Sequence, residues 1–264
     1  MTDLMLVARN TAPDSPNVIH TEEARRFGFQ GGIVPGLTLF GYLSRPLVDQ
    51  YGPEWLAEGQ LDVRFRQPVY DGDQLTLQVE PIDGDEGHMS LRILNADGVE
   101  CVRGSALRYR DDREIDVSAY KSIPFDGAPL QDGTPALLGQ LPDLKEWELD
   151  TDEASVAEFL EKLGDDDPLY RQILHPVVIA RVSAYIVGRR FNFGPRIHVG
   201  VRSRFLATAS IGAKLVGRGR IAKVWEHKGN HYLVSDLLVV DENERPIMQI
   251  DSESLFQLGG GQHG

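Results

Sequence analysis

The sequence feature that most restricts the fold is an internal repeat with a constant spacing of 140 residues. Residues of the same type recur at this spacing: Ile33 and Ile173, Arg64 and Arg204, Phe65 and Phe205, Gly72 and Gly212, and Leu75 and Leu215. One offset therefore spans a helical pattern and a strand pattern together. A shared offset over such a length predicts two copies of one structural unit within the chain.

Each copy has the same predicted order of elements. It opens with an apolar segment, at Pro35-Gly36 in the first copy and at His175-Pro176 in the second, and apolar residues around most of the circumference indicate a buried helix. Pro46 predicts that the first helix kinks or ends near Arg45. Alternating apolar and polar residues then predict antiparallel strands with one wet face.

A helix that is apolar on all sides has to be enclosed, and the sheet has to bury one face. We therefore predict an α+β double hotdog, in which each sheet wraps its own helix and the two units join edge to edge as an internal pseudo-dimer. The predicted boundaries are 1–110 for the first repeat, 111–160 for an acidic linker with a helix around DEASVAEFLEKL, 161–258 for the second repeat and 259–264 for a disordered tail.

The composition and charge of the chain limit the kinds of molecule that it is expected to bind. A formal net charge of -13 argues against nucleic acid and anionic membranes, and no apolar stretch approaches the about 18 residues of a membrane helix. Cys101 is the single cysteine, which excludes an internal disulfide and favours a reducing, cytoplasmic compartment. Phosphate-loop, dinucleotide, serine-hydrolase and zinc-protease motifs are missing, so we expect no cofactor and no metal. A homodimer of the chain is a further expectation.

The first copy contains a motif before its helix. Asn17, Ile19 and His20 are followed by Gly28-Phe29, Gly32-Ile33 and Gly36. This pattern, NxIH followed by GF, GI and G, resembles the D-x-N-P-I-H and GF-x-G-x-I-x-H-G elements of the MaoC-like hydratase branch of hotdog proteins. The sequence also resembles bacterial double-hotdog proteins with an NxIH…GGxVPG element in the first half and PLY…HP…GPxIH in the second, a group for which the resemblance implies no particular activity.

The resemblance to MaoC-like hydratases implies the addition of water to a 2-enoyl thioester, or the reverse dehydration, with acyl-CoA or a similar thioester as the ligand. It assigns His20 as the catalytic imidazole and Gly36 as the backbone donor to the enolate oxygen. Asn17 becomes a water-orienting amide. Asp14 is the nearest candidate for the carboxylate that would work with His20.

The sequence departs from the family pattern in both copies. Ser15 stands at the family's aspartate position, which leaves Asp14 one residue too early. In the second copy, Asp165 lies five residues before Tyr170, which occupies the position of the histidine.

Further residues extend the list of candidates. His175 and His198 compensate for the incomplete pairs if they face the same cavity as His20. Tyr42, on the first central helix, is a candidate substrate contact or a core residue.

Three functions remain open from the sequence. The first is a hydratase or dehydratase that uses His20 and Asp14, and the second is another hotdog enzyme, such as a thioesterase, with its site near His175 and Asp165. The third is a protein that binds acyl thioesters without catalysis. A carboxylate and an imidazole that share one water at the mouth of a tunnel would favour an enzyme.

Overall fold

The strands of the two copies form one continuous sheet. The computed structural model describes residues 3–259. The strands are β1 Leu4–Val7, β2 Gln60–Phe65, β3 Gln74–Ile82, β4 Asp85–Asn95, β5 Glu100–Leu107, β6 Gln131–Asp132, β7 Trp147–Glu148, β8 Phe191–Asn192, β9 Ile197–Phe205, β10 Leu215–His227, β11 Asn230–Asp241 and β12 Pro246–Gln257. Ten of them follow the order β1-β3-β4-β5-β2-β9-β12-β11-β10-β7, with antiparallel pairing throughout, and β6 pairs with β8 separately. The α+β architecture of two repeats is thus confirmed.

The two copies meet where β2 pairs with β9. Asp62 lies opposite Arg202 in this register, and the two residues differ by the repeat spacing of 140. Each therefore faces its own counterpart in the other copy, so a pseudo-two-fold axis passes between them. The Arg202 Nε donates to the Asp62 carboxylate at 2.7 Å. The isolated bridges Ile33–Tyr70 and Ile173–Ser210 keep the same spacing.

The helices lie against one face of this sheet. They are α1 Gly36–Tyr42, α2 Ser44–Tyr51, α3 Trp55–Glu58, α4 Pro135–Leu138, α5 Glu153–Leu163, α6 Pro176–Ala180 and α7 Val182–Tyr185. The predicted interruption before Pro46 occurs at Leu43, between α1 and α2. α1 packs against α6, and a Cβ on Gly41 would stand 3.4 Å from the Val177 Cβ, so the small residue permits this close approach.

The segment predicted as a linker is built into the fold. It supplies β7 at the edge of the sheet opposite β1, so Trp147 and Glu148 take the place in the second copy that β1 has in the first. The helix predicted around DEASVAEFLEKL is α5. The Tyr120 hydroxyl donates to the buried Asp236 carboxylate at 2.7 Å and fastens the linker to the other face of the sheet. Of the predicted tail, residues 260–264 lie outside the described residues.

At the junction between the two copies, we predict that the loss of one aromatic ring greatly lowers the free energy of unfolding. Phe205 is fully buried at the end of β9 and meets Trp55 of the first copy edge to face, with 4.8 Å between ring centroids. We expect Phe205→Ala to lower the free energy of unfolding by about 3 to 5 kcal/mol, because it opens a cavity between the copies. Denaturant titration measures this change. The exposed Tyr109→Ala serves as the control and should change the value by less than about 1 kcal/mol; equal costs would contradict the assignment.

Candidate functional site

The turn before α1 positions His20. Residues 18–20 form one 3₁₀ turn, and the Ile33 N–H donates back to the Ile19 carbonyl at 3.0 Å. A Cβ on Gly32 would stand 2.3 Å from the His20 carbonyl oxygen, so only glycine allows the two backbone segments to approach this closely. The His20 ring then lies with Nδ1 2.9 Å from the Ile33 carbonyl oxygen.

This contact determines which nitrogen of His20 carries the proton. A carbonyl oxygen only accepts hydrogen bonds, so Nδ1 is the protonated nitrogen and Nε2 of the neutral ring holds a free lone pair. Within residues 3–259, Nε2 has no hydrogen-bond partner. Burial lowers the pKa of His20; the bond to Ile33 opposes this effect, and the charge of Arg196 adds to it. The ring is therefore neutral at pH 7, with its basic nitrogen available.

Two neighbouring cavities share the His20 ring. The larger has a volume of about 410 Å³ and is lined by residues of both copies, including Thr38 of α1 and Tyr185 of α7. The smaller has a volume of about 200 Å³ and is mostly apolar. His20 and His198 line both cavities. The two imidazoles come from different copies, so the site exists only because the copies are paired.

His198 is the second neutral imidazole of the site. It lies near the start of β9, and its Nε2 is buried without a partner among the described residues. Burial lowers the pKa of His198 to about 3, and the charges of Arg196 and His20 act in the same direction. His198 therefore stays uncharged over the whole neutral range.

Asn17 joins the two copies beside the cavity. Its Nδ2 donates to the Arg196 carbonyl at 2.6 Å, and its Oδ1 accepts from the Arg196 backbone N–H at 3.1 Å. Both ends of the amide are thus engaged with one residue of the second copy. Asn17 lines the larger cavity, and its amide holds the backbone of Arg196, with one N–H and one lone pair remaining for other partners.

Gly36 begins α1 at the wall of the smaller cavity. Its N–H belongs to the first turn and has no acceptor within the helix. A Cβ at this position would stand 2.7 Å from the Phe65 ring, so a side chain would force the strand away from the helix. Gly36 and His20 line the same smaller cavity.

Two of the predicted residues lie away from the cavities. Asp14 is exposed and lines neither of them. Ser15 does line the larger cavity, and its Oγ accepts from the Asn17 N–H at 3.1 Å. The buried Tyr42 accepts a hydrogen bond from the Arg9 N–H at 2.9 Å through its hydroxyl, and this contact ties the N-terminal segment to α1.

The corresponding region of the second copy is closed. Asp165 Oδ2 lies 3.4 Å from His175 Nε2, and the Tyr170 ring packs on His175 with 4.3 Å between centroids. The three side chains are almost or completely inaccessible and line neither cavity. Because His175 Nδ1 accepts from the Val177 N–H, this ring caps α6.

The surroundings of Asp165 and His175 also determine the protonation of these two side chains. Burial lowers the pKa of His175, against the opposing influence of Asp165. Burial alone would raise the pKa of Asp165, but its hydrogen bonds to His175 and to the Asp167 backbone hold that pKa below its ordinary value. The expectation that His175 and His198 face one cavity with His20 is thus met by His198 alone.

The larger cavity is also lined by two arginines and several aromatic residues. Arg181 places its guanidinium over the Phe159 ring at 4.5 Å, and Trp147 stacks on Tyr185 at 5.1 Å. Arg196 enters from the segment before β9. These residues are scattered over the linker and the second copy, and only the paired sheet brings them to His20.

The described part of the chain sets two further limits. Residues 3–259 contain no group of three His, Cys, Asp or Glu side chains arranged to hold a metal ion. They also contain no helix whose length and apolar character suit a membrane span.

Comparisons with solved structures agree with this architecture. A protein from Chloroflexus aurantiacus assigned as a MaoC domain dehydratase is similar over 98% of this chain and 94% of its own, with a TM-score of 0.59 and 12% identity. A Mycobacterium tuberculosis protein with a double hotdog fold covers 86% of this chain and 83% of its own, with a TM-score of 0.51 and 14% identity. The fold is a double hotdog.

A third similar structure was assigned as a thioesterase. It comes from Novosphingobium aromaticivorans and covers 97% of this chain and 96% of its own, with a TM-score of 0.53 and 12% identity. No family model and no curated protein sequence matches the chain. At identities this low, the similarity shows the double-hotdog fold alone. Proteins with one fold can carry out more than one chemistry.

The buried imidazoles predict a loss of stability in acid. A histidine whose pKa is lowered by folding binds its proton first in the unfolded state, so the free energy of unfolding should fall as the pH drops from about 6.5 toward 3. Each such ring contributes up to about 1.4 kcal/mol per pH unit within its own window. Denaturant titrations at pH 7.5 and pH 5 measure the difference.

The variant His198→Phe tests the source of this dependence. It should reduce the difference in unfolding free energy between pH 7.5 and pH 5, whereas replacement of the exposed His227 by Ala should leave that difference unchanged. Equal pH dependence in the unaltered protein and in His198→Phe would contradict the assignment to His198.

Proposed function

We propose that this protein catalyses the hydration of a 2-enoyl thioester, or the reverse dehydration of a 3-hydroxyacyl thioester, at His20. The observation that carries the proposal is the state of the His20 ring. Nδ1 is occupied by the Ile33 carbonyl, which leaves an unprotonated Nε2 in the wall of two cavities next to the start of α1. An acyl-CoA or a similar thioester is the proposed ligand, and a reducing, cytoplasmic location belongs to the same proposal, as does the homodimer.

In the hydration direction, His20 Nε2 acts as a general base. It takes a proton from a water as the water oxygen bonds to the β carbon of the enoyl group. The electron pair of the carbon–carbon double bond moves toward the thioester carbonyl and gives an enolate. The Nε2 proton then passes to the α carbon, which completes the addition and returns the ring to its neutral form.

The enolate intermediate needs a donor for its oxygen. The Gly36 amide lacks an intrahelical acceptor and borders the cavity that His20 also lines. A backbone N–H in this position supports the developing charge without moving, since the helix already fixes its direction. His198 adds a second neutral imidazole to the same wall.

The chemistry does not require Asp14. One imidazole can both remove the water proton and deliver a proton to the α carbon, and its lowered pKa keeps it in the basic form at pH 7. Asp14 is exposed and lies outside both cavities, so we assign the chemistry to His20 alone.

Replacement of His20 tests the proposal directly. His20→Ala should lower kcat/KM for hydration of a trans-2-enoyl thioester by about 10²- to 10⁴-fold, because it removes the base. Product analysis by mass detects the added water. Asp14→Asn and the exposed His227→Ala are the controls and should keep full activity. An unaltered protein that hydrates no enoyl thioester, or a His20→Ala variant with full activity, would contradict the proposal.

The pH dependence follows from the same ring. The rate of hydration should rise with pH as His20 loses its proton, and burial lowers the pKa of His20, so the midpoint of kcat/KM should lie below 6.5, the ordinary value. The profile of kcat/KM between pH 4.5 and pH 8 measures this midpoint. A midpoint above 7 would exclude the buried ring as the base.

A thioesterase is the second candidate. The larger cavity has no carboxylate in its lining, and hydrolysis of a thioester needs only a base to activate water for attack on the carbonyl carbon. Release of free thiol, detected with a thiol reagent, separates hydrolysis from hydration in the same assay.

The geometry does not support the alternative catalytic centre at His175 and Asp165, because that pair is closed and His175 caps α6. Binding without either product would indicate the non-catalytic protein.

A further inference from the structure

Arg196 lies in the wall of the larger cavity with most of its hydrogen-bonding capacity unused. Its Nη2 donates to the Ala184 carbonyl. Its Nη1 is buried without a partner, and Nε donates no hydrogen bond within residues 3–259. A guanidinium has five N–H donors, and leaving buried donors unpaired is costly. The guanidinium carbon lies 5.7 Å from the centroid of the Phe193 ring. The free protein therefore holds beside the cavity a cationic group that contacts an aromatic ring but leaves most of its N–H donors without an acceptor.

Two other deeply buried arginines of this chain have carboxylate partners. Arg204, with 6% of its side chain exposed, has the Asp111 carboxylate at 2.9 Å. Arg218, with 11% exposed, pairs with both Glu146 and Glu244. Burial of a charge is ordinarily accompanied by such a counter-charge. Arg196 differs from these two residues, since burial lowers its pKa to about 10 and no carboxylate within residues 3–259 acts in the other direction.

The lining of the larger cavity supplies no counter-charge either. It contains Arg196 and Arg181 and no Asp or Glu, although the whole chain has a formal net charge of -13. The Arg181 guanidinium is directed at the Phe159 and Tyr185 rings. The cavity is thus a local region of positive charge within an acidic protein, which suits an anionic ligand.

The position of Arg196 indicates which part of the ligand is anionic. Its charge is near enough to His20 and His198 to affect the titration of both rings. Asn17 holds its backbone from the first copy through two hydrogen bonds, so the residue is fixed relative to the turn that carries His20. An anion at Arg196 therefore lies beside the reacting carbons, at the opposite end of a thioester from the phosphates of its carrier.

We infer that the acyl group of the substrate carries a carboxylate of its own and that Arg196 binds it next to His20. The inference rests on the proposed function, since it names the substrate class of that same site. The substrate is then the monothioester of an unsaturated dicarboxylic acid, or its hydrated counterpart. The ion pair supplies the counter-charge that the protein itself omits and orients the double bond relative to His20.

Two thioesters that differ in a single group test this inference. One is trans-2-butenoyl-CoA, and the other is the trans-butenedioyl monothioester of CoA, in which a carboxylate replaces the terminal methyl group. The unaltered protein should favour the carboxylated substrate in kcat/KM by about 100-fold or more, because only the carboxylated acyl group forms the ion pair with Arg196.

The variant Arg196→Gln should remove that preference. We expect kcat/KM for the carboxylated substrate to fall about 100-fold or more, so that the ratio of kcat/KM between the two substrates approaches one. Arg196→Lys should recover part of the preference, since it retains the charge. Arg103→Gln, at an exposed strand position, makes the same change in charge far from the cavity and should leave both rates unchanged.

A binding measurement separates this inference from the proposed function. Calorimetric titration with the S-(3-carboxypropyl) and S-butyl thioethers of CoA, which lack the reactive carbonyl, should give tighter binding of the carboxylated compound, and Arg196→Gln should abolish the difference. Free CoA should bind both proteins equally. If neither thioester is hydrated but the binding difference holds, the proposed function fails and the inference stands. Equal binding of the two thioethers, or weaker binding of free CoA to Arg196→Gln, would overturn the inference, the latter by assigning Arg196 to the carrier phosphates.

The folding of the variant is monitored separately. Arg196→Gln removes a buried, unpaired charge, so the midpoint of thermal unfolding of the free protein should stay the same or rise. This midpoint verifies that any loss of binding comes from the missing guanidinium. Should Arg196→Gln fail to fold, Arg196→Lys and Arg196→Met carry the same comparison of charged against neutral side chain.

Discussion

The pairing of β2 with β9 is the interaction on which the rest of the structure depends. Each repeat alone would expose a strand edge with free N–H and C=O groups, and the pairing satisfies both edges at once. At the pseudo-two-fold axis, Asp62 faces Arg202. In a symmetric dimer of one repeat, the same side chain would face itself there. Covalent duplication allows the two positions to differ, and the opposite charges favour pairing of unlike copies over pairing of like copies.

The same freedom from symmetry explains why one site is open and the other closed. In the first copy, Gly32 lets the turn approach the helix and presents His20 to the cavities. In the second copy, Gln172 stands at the corresponding position and Tyr170 replaces the histidine, while Asp165 and His175 close on each other. The second copy contributes to the open site in another way, through the residues just before and within β9.

The electrostatics of the open site come from low polarity rather than from a charged network. Two imidazoles remain neutral because burial penalises their charged forms, and the charge of Arg196 reinforces that penalty. A base with a free lone pair and a cation without a counter-ion thus share one cavity wall. The sheet and the Asn17 contacts hold this arrangement in place, and the carboxylate that we infer for the substrate would supply the missing counter-charge.

The sequence alone determined the duplicated architecture, since the constant spacing and the switch from helical to alternating periodicity are local patterns that burial enforces in any fold. The motif around His20 also predicted which segment borders the two cavities, because Gly32 and Ile33 act on His20 over a short stretch of chain. The role of residues 147 and 148 as an edge strand, the exclusion of Asp14 and the closure around His175 required the tertiary structure. The meeting of His20 with His198 and Arg196 required it as well, because contacts between residues about 180 positions apart depend on the register of two strands, and a shift of one residue would turn those side chains to the other face.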